Sequence, residues 1–288
     1  MLQTLQSFRL SCFIVTLIVA LGAVPVVLAE GPSTEDENPV RVGPDISFYG
    51  EGKFVYENNC VVCHGAMGDG RGEMAASLGI KPRSFKTGVF KYRTTPWGKL
   101  PTTEDLERVV HNGISGTAMG MFTNLSDEQL RAVVEYLKFF SRKWRKPENY
   151  APPIVLPRQP AWLVDDAERD RHAVKGKETF QQICAACHGP AGDGKGPAAV
   201  GLKDDWGEPE TPADLRQPHL RSGDEPLDIF RVLATGLNGT PMVSFAEAFS
   251  EEQKWDLAAY VLTLRRDFAA AKVSNVTSGS SPPGAGRR

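Results

Sequence analysis

Two short segments of the chain carry residue types that could do redox chemistry. Each has two cysteines separated by two residues and followed at once by a histidine, and the copies are Cys60-Val61-Val62-Cys63-His64 and Cys184-Ala185-Ala186-Cys187-His188. Two thiols at this spacing can form thioether bonds with the two vinyl groups of one haem, and the adjacent imidazole can ligate its iron. The motifs therefore predict two covalently attached haem c groups, bound through the four cysteines, with His64 and His188 as iron ligands.

Other chemistries of paired cysteines fit these segments less well. A zinc site of four thiolates would need both pairs on one ion and would leave the two histidines without a role. A thioredoxin-like dithiol belongs in a βαβ setting, whereas no Val/Ile-rich strand pattern precedes either motif. The fifth cysteine, Cys12, lies in an N-terminal apolar stretch, so no thiols are left for a framework of disulfides.

A methionine loop follows each motif and predicts the second axial ligand. Met119 and Met242 end two Gly-Thr-x-Met segments, 55 residues after His64 and 54 residues after His188. A thioether is a soft ligand that suits haem iron and, paired with histidine, raises its reduction potential. We therefore predict His/Met ligation for both irons and no catalytic residue. In the first loop Met121 is an alternative to Met119, because it lies two residues further on.

An internal repeat surrounds the motifs and predicts two homologous helical modules. Corresponding landmarks lie 124 residues apart near the motif and 123 apart near the Met loop. The shared features are a glycine followed by an aromatic residue, the motif, a Gly-rich loop, an amphipathic segment, the Met loop and a capping box that opens a helix. Their positions in the two copies include Gly52 and Gly176, Tyr56 and Phe180, 104–110 and 227–233, and Ser126 and Ser250. The pattern predicts an all-α chain.

The remaining segments predict the borders of these modules. An apolar run at 12–29, with a small-residue cleavage pattern before Glu30, predicts a signal peptide over 1–29 or a retained N-terminal anchor. An acidic leader then covers 30–44, and the first module covers 45–146. An extended Pro-rich, charged linker covers 147–169, the second module 170–270, and a disordered tail 271–288. We expect the protein to be exported to the periplasm, either soluble or anchored at the outer face of the cytoplasmic membrane.

Charge composition gives little indication of a partner. Lys and Arg (33) nearly balance Asp and Glu (35), and no long basic run occurs, which argues against nucleic-acid binding. The first module has a long basic segment at 80–100, and we hypothesise that Lys86, Lys91 and Arg93 dock a redox partner. Basic and aromatic residues that could instead hold haem propionates, or simply pack, are Lys86, Tyr92, Arg93, Trp97, Arg216 and Arg221.

The other histidines have no predicted role at the iron. His111 has Ala234 as its counterpart in the second module, so it is not expected to be a required ligand. His172 lies in a charged helix and His219 in a Pro-rich loop, and both are interpreted as surface residues. A metal-ligating histidine usually donates its second ring N–H to an acceptor. For His188 we predict that a backbone carbonyl at Gly196-Pro197 is this acceptor.

With these landmarks the chain resembles the class I cytochromes c, in a diheme form with two fused modules. The resemblance covers most of 45–145 and 170–268 and rests on the CxxCH-Gly motifs, the Gly-Thr-x-Met loops and the flanking helices. It implies an all-α fold with His/Met-ligated haems. It also implies that the first and last helices of each module cross where a glycine meets an aromatic residue. The pairs would be Gly52 with Tyr136 and Gly176 with Tyr260.

The resemblance also implies a function. It predicts electron transfer between respiratory or dehydrogenase partners outside the cytoplasm, either as a free carrier or as the cytochrome subunit of a larger oxidoreductase. The alternative is a diheme enzyme, a peroxidase or an oxidase of a small sulfur compound, with one open or unusually ligated iron. The doubling of the Met loop argues against an open iron, so we predict an electron-transfer protein rather than an enzyme.

Overall fold

The computed structural model describes residues 41–278, with side chains described as far as residue 272. The helices in this range are α1 (Tyr49–Asn59), α2 (Val61–His64), α3 (Thr103–Asn112), α4 (Asp127–Lys138), α5 (Asp166–Thr179), α6 (Ala185–His188), α7 (Pro226–Thr235) and α8 (Glu251–Ser278). No strand forms in the described part, where a single isolated bridge joins Lys203 and Pro209. The predicted all-α class is confirmed. The predicted signal segment and most of the acidic leader lie outside the described residues.

The two modules repeat one helix order, α1–α4 in the first and α5–α8 in the second. Their first and last helices cross at a glycine, as expected. A Cβ on Gly52 would overlap the carbonyl oxygen of Ala132 and lie 2.7 Å from Cβ of Tyr136. A Cβ on Gly176 would overlap the carbonyl of Asp256, one turn before the predicted partner Tyr260. Each crossing is therefore close enough to require a residue without a side chain.

The helix starts agree with the amphipathic and capping patterns. Ser126 accepts the N–H of Gln129 through its side chain at 3.2 Å, and Ser250 accepts that of Gln253 at 3.1 Å. In both pairs the glutamine side chain accepts the serine N–H in return. These reciprocal bonds satisfy N–H groups that a helix start leaves unpaired. They set where α4 and α8 begin, and hence where the Met loop before each helix must end.

Helix lengths in the second module differ from the prediction. α5 begins at Asp166 with Asp165 as its cap, before the predicted module border at 170, because the charged stretch 166–175 is itself helical. A π-helical turn at Phe180–Cys184 then leads into α6. α8 continues to Ser278, so the segment predicted as a disordered tail is helical over 271–278. Residues 279–288 lie outside the described range.

The linker packs on the second module. Ile154, Leu156 and Trp162 pack against its core, while Val155 between them is 94% exposed. The N–H of Ile154 donates to the carbonyl of Thr94 in the first module at 2.8 Å. The extended chain after α4 therefore contacts both modules. None of the described helices combines the length and apolar composition needed to cross a bilayer.

The modules differ in two loops whose length differences almost cancel. The carbonyl that binds the motif histidine lies at Arg83 in the first module, 19 residues after His64, and at Ala213 in the second, 25 residues after His188. From that carbonyl to the cap of the next helix there are 19 residues in the first module and 12 in the second. Compared with the first module, the second thus has six more residues between the motif histidine and this carbonyl, and seven fewer between the carbonyl and the next helix cap. The net difference of one residue in the sequence conceals both changes.

These two loops meet each other and join the modules. The side chain of Arg83 lies 3.7 Å from a carboxylate oxygen of Asp204, and its guanidinium lies 3.7 Å above the ring of Trp206. Lys91 Nζ donates to Glu210 Oε2 at 2.6 Å, with 18% of each side chain exposed. Side chains from the basic segment of the first module therefore find their acidic and aromatic partners within the same chain.

This contact overturns the docking hypothesis for two of its three residues. Lys91 is paired with the second module, and Arg93 is 1% exposed and bonded to backbone carbonyls of that module. Only Lys86 is exposed. The sequence alone does not show that the longer loop of the second module, which precedes Ala213, lies opposite these basic residues.

Candidate haem sites

Each CxxCH motif forms a helical turn at the end of the first helix of its module. In the first motif the N–H of His64 donates to the carbonyl of Cys60 at 2.9 Å. In such a turn, residues i, i+3 and i+4 share a face, so Cys60, Cys63 and His64 lie on one side. Gly65 follows with a φ of 77°, and Gly189 does the same after the second motif with 76°. This left-handed backbone favours glycine and turns the chain sharply away from the histidine.

A backbone carbonyl orients the imidazole of each motif. Nδ1 of His64 lies 3.1 Å from the carbonyl oxygen of Arg83, and Nδ1 of His188 lies 3.1 Å from that of Ala213. A carbonyl can only accept, so Nδ1 carries the proton and Nε2 keeps its lone pair for a metal. Burial lowers the pKa of both histidines, which favours the neutral form that ligates iron.

The acceptor for His188 is not the predicted carbonyl at Gly196-Pro197. Gly196 instead closes the loop against the motif, since its N–H donates to the carbonyl of Cys187 at 3.1 Å. Gly72 makes the same bond to Cys63 in the first module, also at 3.1 Å. The carbonyl that accepts from His188 belongs to Ala213, at the end of the longer loop of this module. No side-chain pattern marks this position in the sequence.

The thiols suit the attached state better than the free one. Burial raises the pKa of Cys60 to about 12 and that of Cys184 to about 11. A free thiolate is therefore unfavourable at these two positions. A thioether carries no charge and loses nothing by being buried.

Hydrogen bonds of Met119 and of the Thr117 hydroxyl close the first Met loop. The carbonyl of Met119 accepts the N–H of Ile114 at 2.9 Å, and the N–H of Met119 donates to Oγ1 of Thr117 at 3.0 Å. Thr117 also donates its hydroxyl to the carbonyl of Ile114 at 2.8 Å. The Gly-Thr-x-Met pattern thus uses its threonine to fix the backbone that carries the methionine.

The second Met loop has the same construction. The N–H of Leu237 donates to the carbonyl of Met242 at 2.8 Å. The hydroxyl of Thr240 donates to the carbonyl of Leu237 at 2.8 Å and accepts the N–H of Met242 at 3.1 Å. Met119 and Met242 are half-buried and pack against the cores of their modules, whereas Met121 is 70% exposed. This difference in burial favours Met119 over Met121 as the inward-facing thioether.

Both modules also contain a buried donor that lacks an acceptor. Nε1 of Trp144 and Nε1 of Trp255 are buried and have no hydrogen-bond partner among the described residues. Buried donors in native proteins are nearly always satisfied. They are compatible with a bound group that brings its own acceptors, as haem does with its propionates. The repeat does not reveal these tryptophans, because they occupy unrelated positions in the two copies.

The surroundings of the two Met loops differ. A cavity of about 330 Å³ adjoins the first loop, lined by residues 78–80 and 116–118. In the second module the loop is covered by the basic segment of the first.

Among the candidates for propionate binding, Arg93 binds backbone carbonyls and Arg216 forms a two-point pair with Asp214, at 2.8 and 2.9 Å. Lys86 and Arg221 are exposed.

The remaining histidines are partly as predicted. His111 and His219 are exposed. His172 is not a free surface residue, because its ring stacks on Trp162 with centroids 3.6 Å apart, and its Nδ1 lies 2.5 Å from a carboxylate oxygen of Asp256. It ties the end of the linker to α8.

Comparison with known proteins agrees with this geometry. The family model for cytochrome c matches residues 49–140 and 173–265, so the chain belongs to the cytochrome c family and has two of its domains. Among solved structures it is similar to a chain of the reducing HAO-like protein complex Kustc0457/Kustc0458 of Kuenenia stuttgartiensis. The two are 36% identical with a TM-score of 0.70, over 78% of this chain and 99% of that one. A search of curated proteins found no match.

Two covalently bound haem c groups follow from the two family domains and their CxxCH motifs. The residues present fit this cofactor. Each module offers two thiols, an imidazole with its Nε2 available and a half-buried thioether. Haem-based electron transfer is therefore the activity that the family and the donor set define.

Proposed function

We propose that the chain is a diheme electron carrier in which His64 and Met119 ligate one iron and His188 and Met242 ligate the other. The supporting observation is that both modules present the same two groups: a histidine held at Nδ1 by a carbonyl 3.1 Å away, and a methionine in a loop closed by equivalent hydrogen bonds. Two saturated irons leave no coordination site for a substrate. The protein then serves to pass electrons rather than to transform a bound molecule.

When bound, haem supplies a one-electron couple. The residues of the chain set the conditions for that couple. The carbonyl behind each histidine fixes ring orientation and increases the basicity of Nε2. The thioether favours the reduced state, and burial limits access of water. The helical turn of each CxxCH motif holds the two cysteines and the histidine in one rigid unit.

We further propose that redox proteins are the partners and that the chain acts outside the cytoplasm. Covalent attachment suits an exported cofactor, which cannot be recovered once lost. The similar solved chain belongs to a complex of two proteins and is covered over 99% of its length. That likeness supports a role as the cytochrome subunit of a larger oxidoreductase. The accessible Met loop of the first module, beside its cavity, is the face we assign to exchange with a partner.

The alternative is a diheme enzyme with one open iron. It would require one methionine to stay away from its haem. The equivalent bonds in both loops argue against that, because the first loop has the same closed backbone as the second. If one iron lacked its methionine ligand, we would expect it to be the first, because the first Met loop is the exposed one.

Substitution of single methionines in the full-length, haem-loaded protein tests the ligand assignment. Met119→Ala and Met242→Ala should each remove about half of the weak red absorption band of Met-ligated ferric haem, because each removes one of two thioethers. Met121→Ala is the matched control from the same loop and should leave the band intact. Loss of the band in Met121→Ala, or its full retention in Met119→Ala, would refute the assignment in the first module.

A further inference from the structure

The two Met loops have the same internal bonds and opposite surroundings. In the first loop Ser115 and Gly116 are exposed, and a Cβ on Gly116 would meet no heavy atom within 4 Å. In the second loop the corresponding residues are covered: Asn238 is 6% exposed, and a Cβ on Gly239 would lie 2.5 Å from Trp206 and 3.0 Å from Val89. The cover on the second loop comes partly from the other module.

Arg93 makes the strongest polar contact of this cover. Its Nη2 donates to the carbonyl of Thr235 at 2.6 Å, its Nη1 to that of Gly236 at 3.3 Å, and its Nε to that of Pro96 at 3.3 Å. Thr235 is the last residue of α7, and Gly236 begins the Met loop. A buried guanidinium needs such acceptors, because an unpaired buried charge is strongly destabilising. The base of the second Met loop supplies two of them.

Further contacts from the same segment hold the loop at its middle and at its base. Asn238 accepts the N–H of Gly98 at 3.0 Å and donates to the carbonyl of Lys99 at 3.3 Å. The ring of Trp97 lies against Gly236, where an added Cβ would be 2.6 Å from it. The loop that carries Met242 is thus fixed by the chain segment 89–99 at its base and at its middle.

We propose that segment 89–99 of the first module clamps the Met loop of the second module in its ligating position, with Arg93 as the positioning residue. The inference rests on the proposed function, since it requires Met242 to be an iron ligand. A Met loop opens by moving away from its module, and the clamp opposes that movement only in the second one. Ligation of the second iron then depends on the first module, whereas ligation of the first iron depends on its own loop alone.

Arg93→Gln in the full-length, haem-loaded protein tests the clamp. Glutamine keeps part of the side-chain volume but loses the charge and the forked donors. Proton NMR of the reduced protein resolves one ring-shifted methyl signal for each ligating methionine, and Met242→Ala assigns the signal of the second haem. We expect that signal to weaken in Arg93→Gln while the first is unchanged. Carbon monoxide should bind the second haem about tenfold faster, the factor for losing one hydrogen bond to a charged group.

Four further variants serve as controls and second tests. Lys86→Gln removes an exposed charge just before segment 89–99 and should change neither signal. Asn238→Ala should accelerate carbon monoxide binding at the second haem, while Ser115→Ala, its counterpart in the uncovered loop, should have no effect at the first. Arg93→Lys, which keeps the positive charge but lacks the planar fork of donors, should recover part of the wild-type behaviour. If Arg93→Gln does not fold, Asn238→Ala and Ser115→Ala decide the matter.

The outcomes separate this inference from the proposed function. A wild-type protein without a shifted methyl signal for the second haem would refute Met242 as a ligand, and with it the function as proposed. Two wild-type signals that persist in Arg93→Gln and Asn238→Ala, with an unchanged rate of carbon monoxide binding, would refute the clamp alone. A lower reduction potential with unchanged ligation would show that Arg93 acts through its charge and not by positioning.

Discussion

His64 and His188 show how a single backbone carbonyl decides the chemistry of a side chain. Each imidazole donates an Nδ1–H hydrogen bond to a carbonyl 3.1 Å away, which leaves the Nε2 lone pair available for a metal. The histidines themselves are predictable from the CxxCH spacing. Their acceptors at Arg83 and Ala213 are not, because any residue can supply a carbonyl and only the path of the loop brings one there.

Asp214 follows directly after the carbonyl that holds His188, and its charge should make this loop sensitive to acid. Hydrogen bonds from Arg216, and then from Gln217, hold the pKa of Asp214 well below its ordinary value near 3.8. A carboxylate with a lowered folded-state pKa adds stability above the unfolded pKa and loses it as the pH falls through the folded one. Asp214→Asn should therefore lower the free energy of unfolding at pH 7, by at most about 1 kcal/mol for a partly exposed pair.

Chemical denaturation across a pH series checks this. The wild-type and Asp214→Asn stabilities should differ by a constant amount from neutral pH down to about pH 4. Below that pH the difference should shrink as Asp214 of the unfolded chain is protonated, and it should vanish only below the lowered folded-state pKa. Glu178→Gln, an exposed carboxylate on α5, is the control and should show no such convergence. A constant difference between wild type and Asp214→Asn at all pH values would mean that the ionised pair does not stabilise this loop.

At the scale of elements, the helix crossings set the position of each motif. α1 and α4 pack so closely that Gly52 contacts the backbone of Ala132, and α5 and α8 repeat this at Gly176 and Asp256. The motif follows directly on α1 and, after the π-helical turn, on α5, while the Met loop precedes α4 and α8. Each crossing therefore fixes both ends of a candidate haem site at once.

Gly52→Ala tests the first crossing. The added methyl group would overlap the Ala132 carbonyl, and overpacking of this kind costs about 1–3 kcal/mol of unfolding free energy. Gly50→Ala in the same helix meets nothing within 4 Å and should be neutral or stabilising by up to about 1 kcal/mol, since alanine favours helix. Guanidinium denaturation compares the two. Equal stabilities for both variants would contradict a tight crossing.

The elements were largely predictable, and the differences have physical reasons. The amphipathic segments before the Met loops are helical, and the capping boxes at Ser126 and Ser250 form as predicted. Helix α5 starts earlier because the charged residues after Asp165 form ion pairs along the helix instead of a linker. Composition favoured disorder after residue 270, yet the helix continues to Ser278.

At the scale of the molecule, the two modules contact each other through parts that bear on both sites. Arg83 holds His64 with its carbonyl and reaches Trp206 and Asp204 of the second module with its side chain. Arg93 holds the base of the Met242 loop. The interface thus joins the histidine side of the first site to the methionine side of the second. This interface could not be predicted, because each module has one loop longer than its counterpart. The two length differences almost cancel, so that the repeat shows a net difference of only one residue.

The Lys91–Glu210 pair tests this interface. Its atoms lie 2.6 Å apart, and burial lowers the pKa of Lys91, so the lysine depends on its partner. Lys91→Ala and Glu210→Ala should each reduce the free energy of unfolding, and a double-mutant cycle should give a coupling of about 2 kcal/mol, as for a hydrogen bond to a charged group. The charge swap Lys91→Glu with Glu210→Lys should restore part of the loss. Strictly additive losses would contradict a specific contact between the modules.

The central claim, two closed His/Met irons in one carrier, is tested most directly by carbon monoxide titration of the reduced wild-type protein alongside the absorption spectrum of its oxidised form. We predict two low-spin haems, the red band of Met-ligated ferric iron, and no rapid uptake of carbon monoxide at either haem. A high-spin fraction, or rapid binding of one equivalent of carbon monoxide, would contradict the claim and identify an open iron of the kind an enzyme requires.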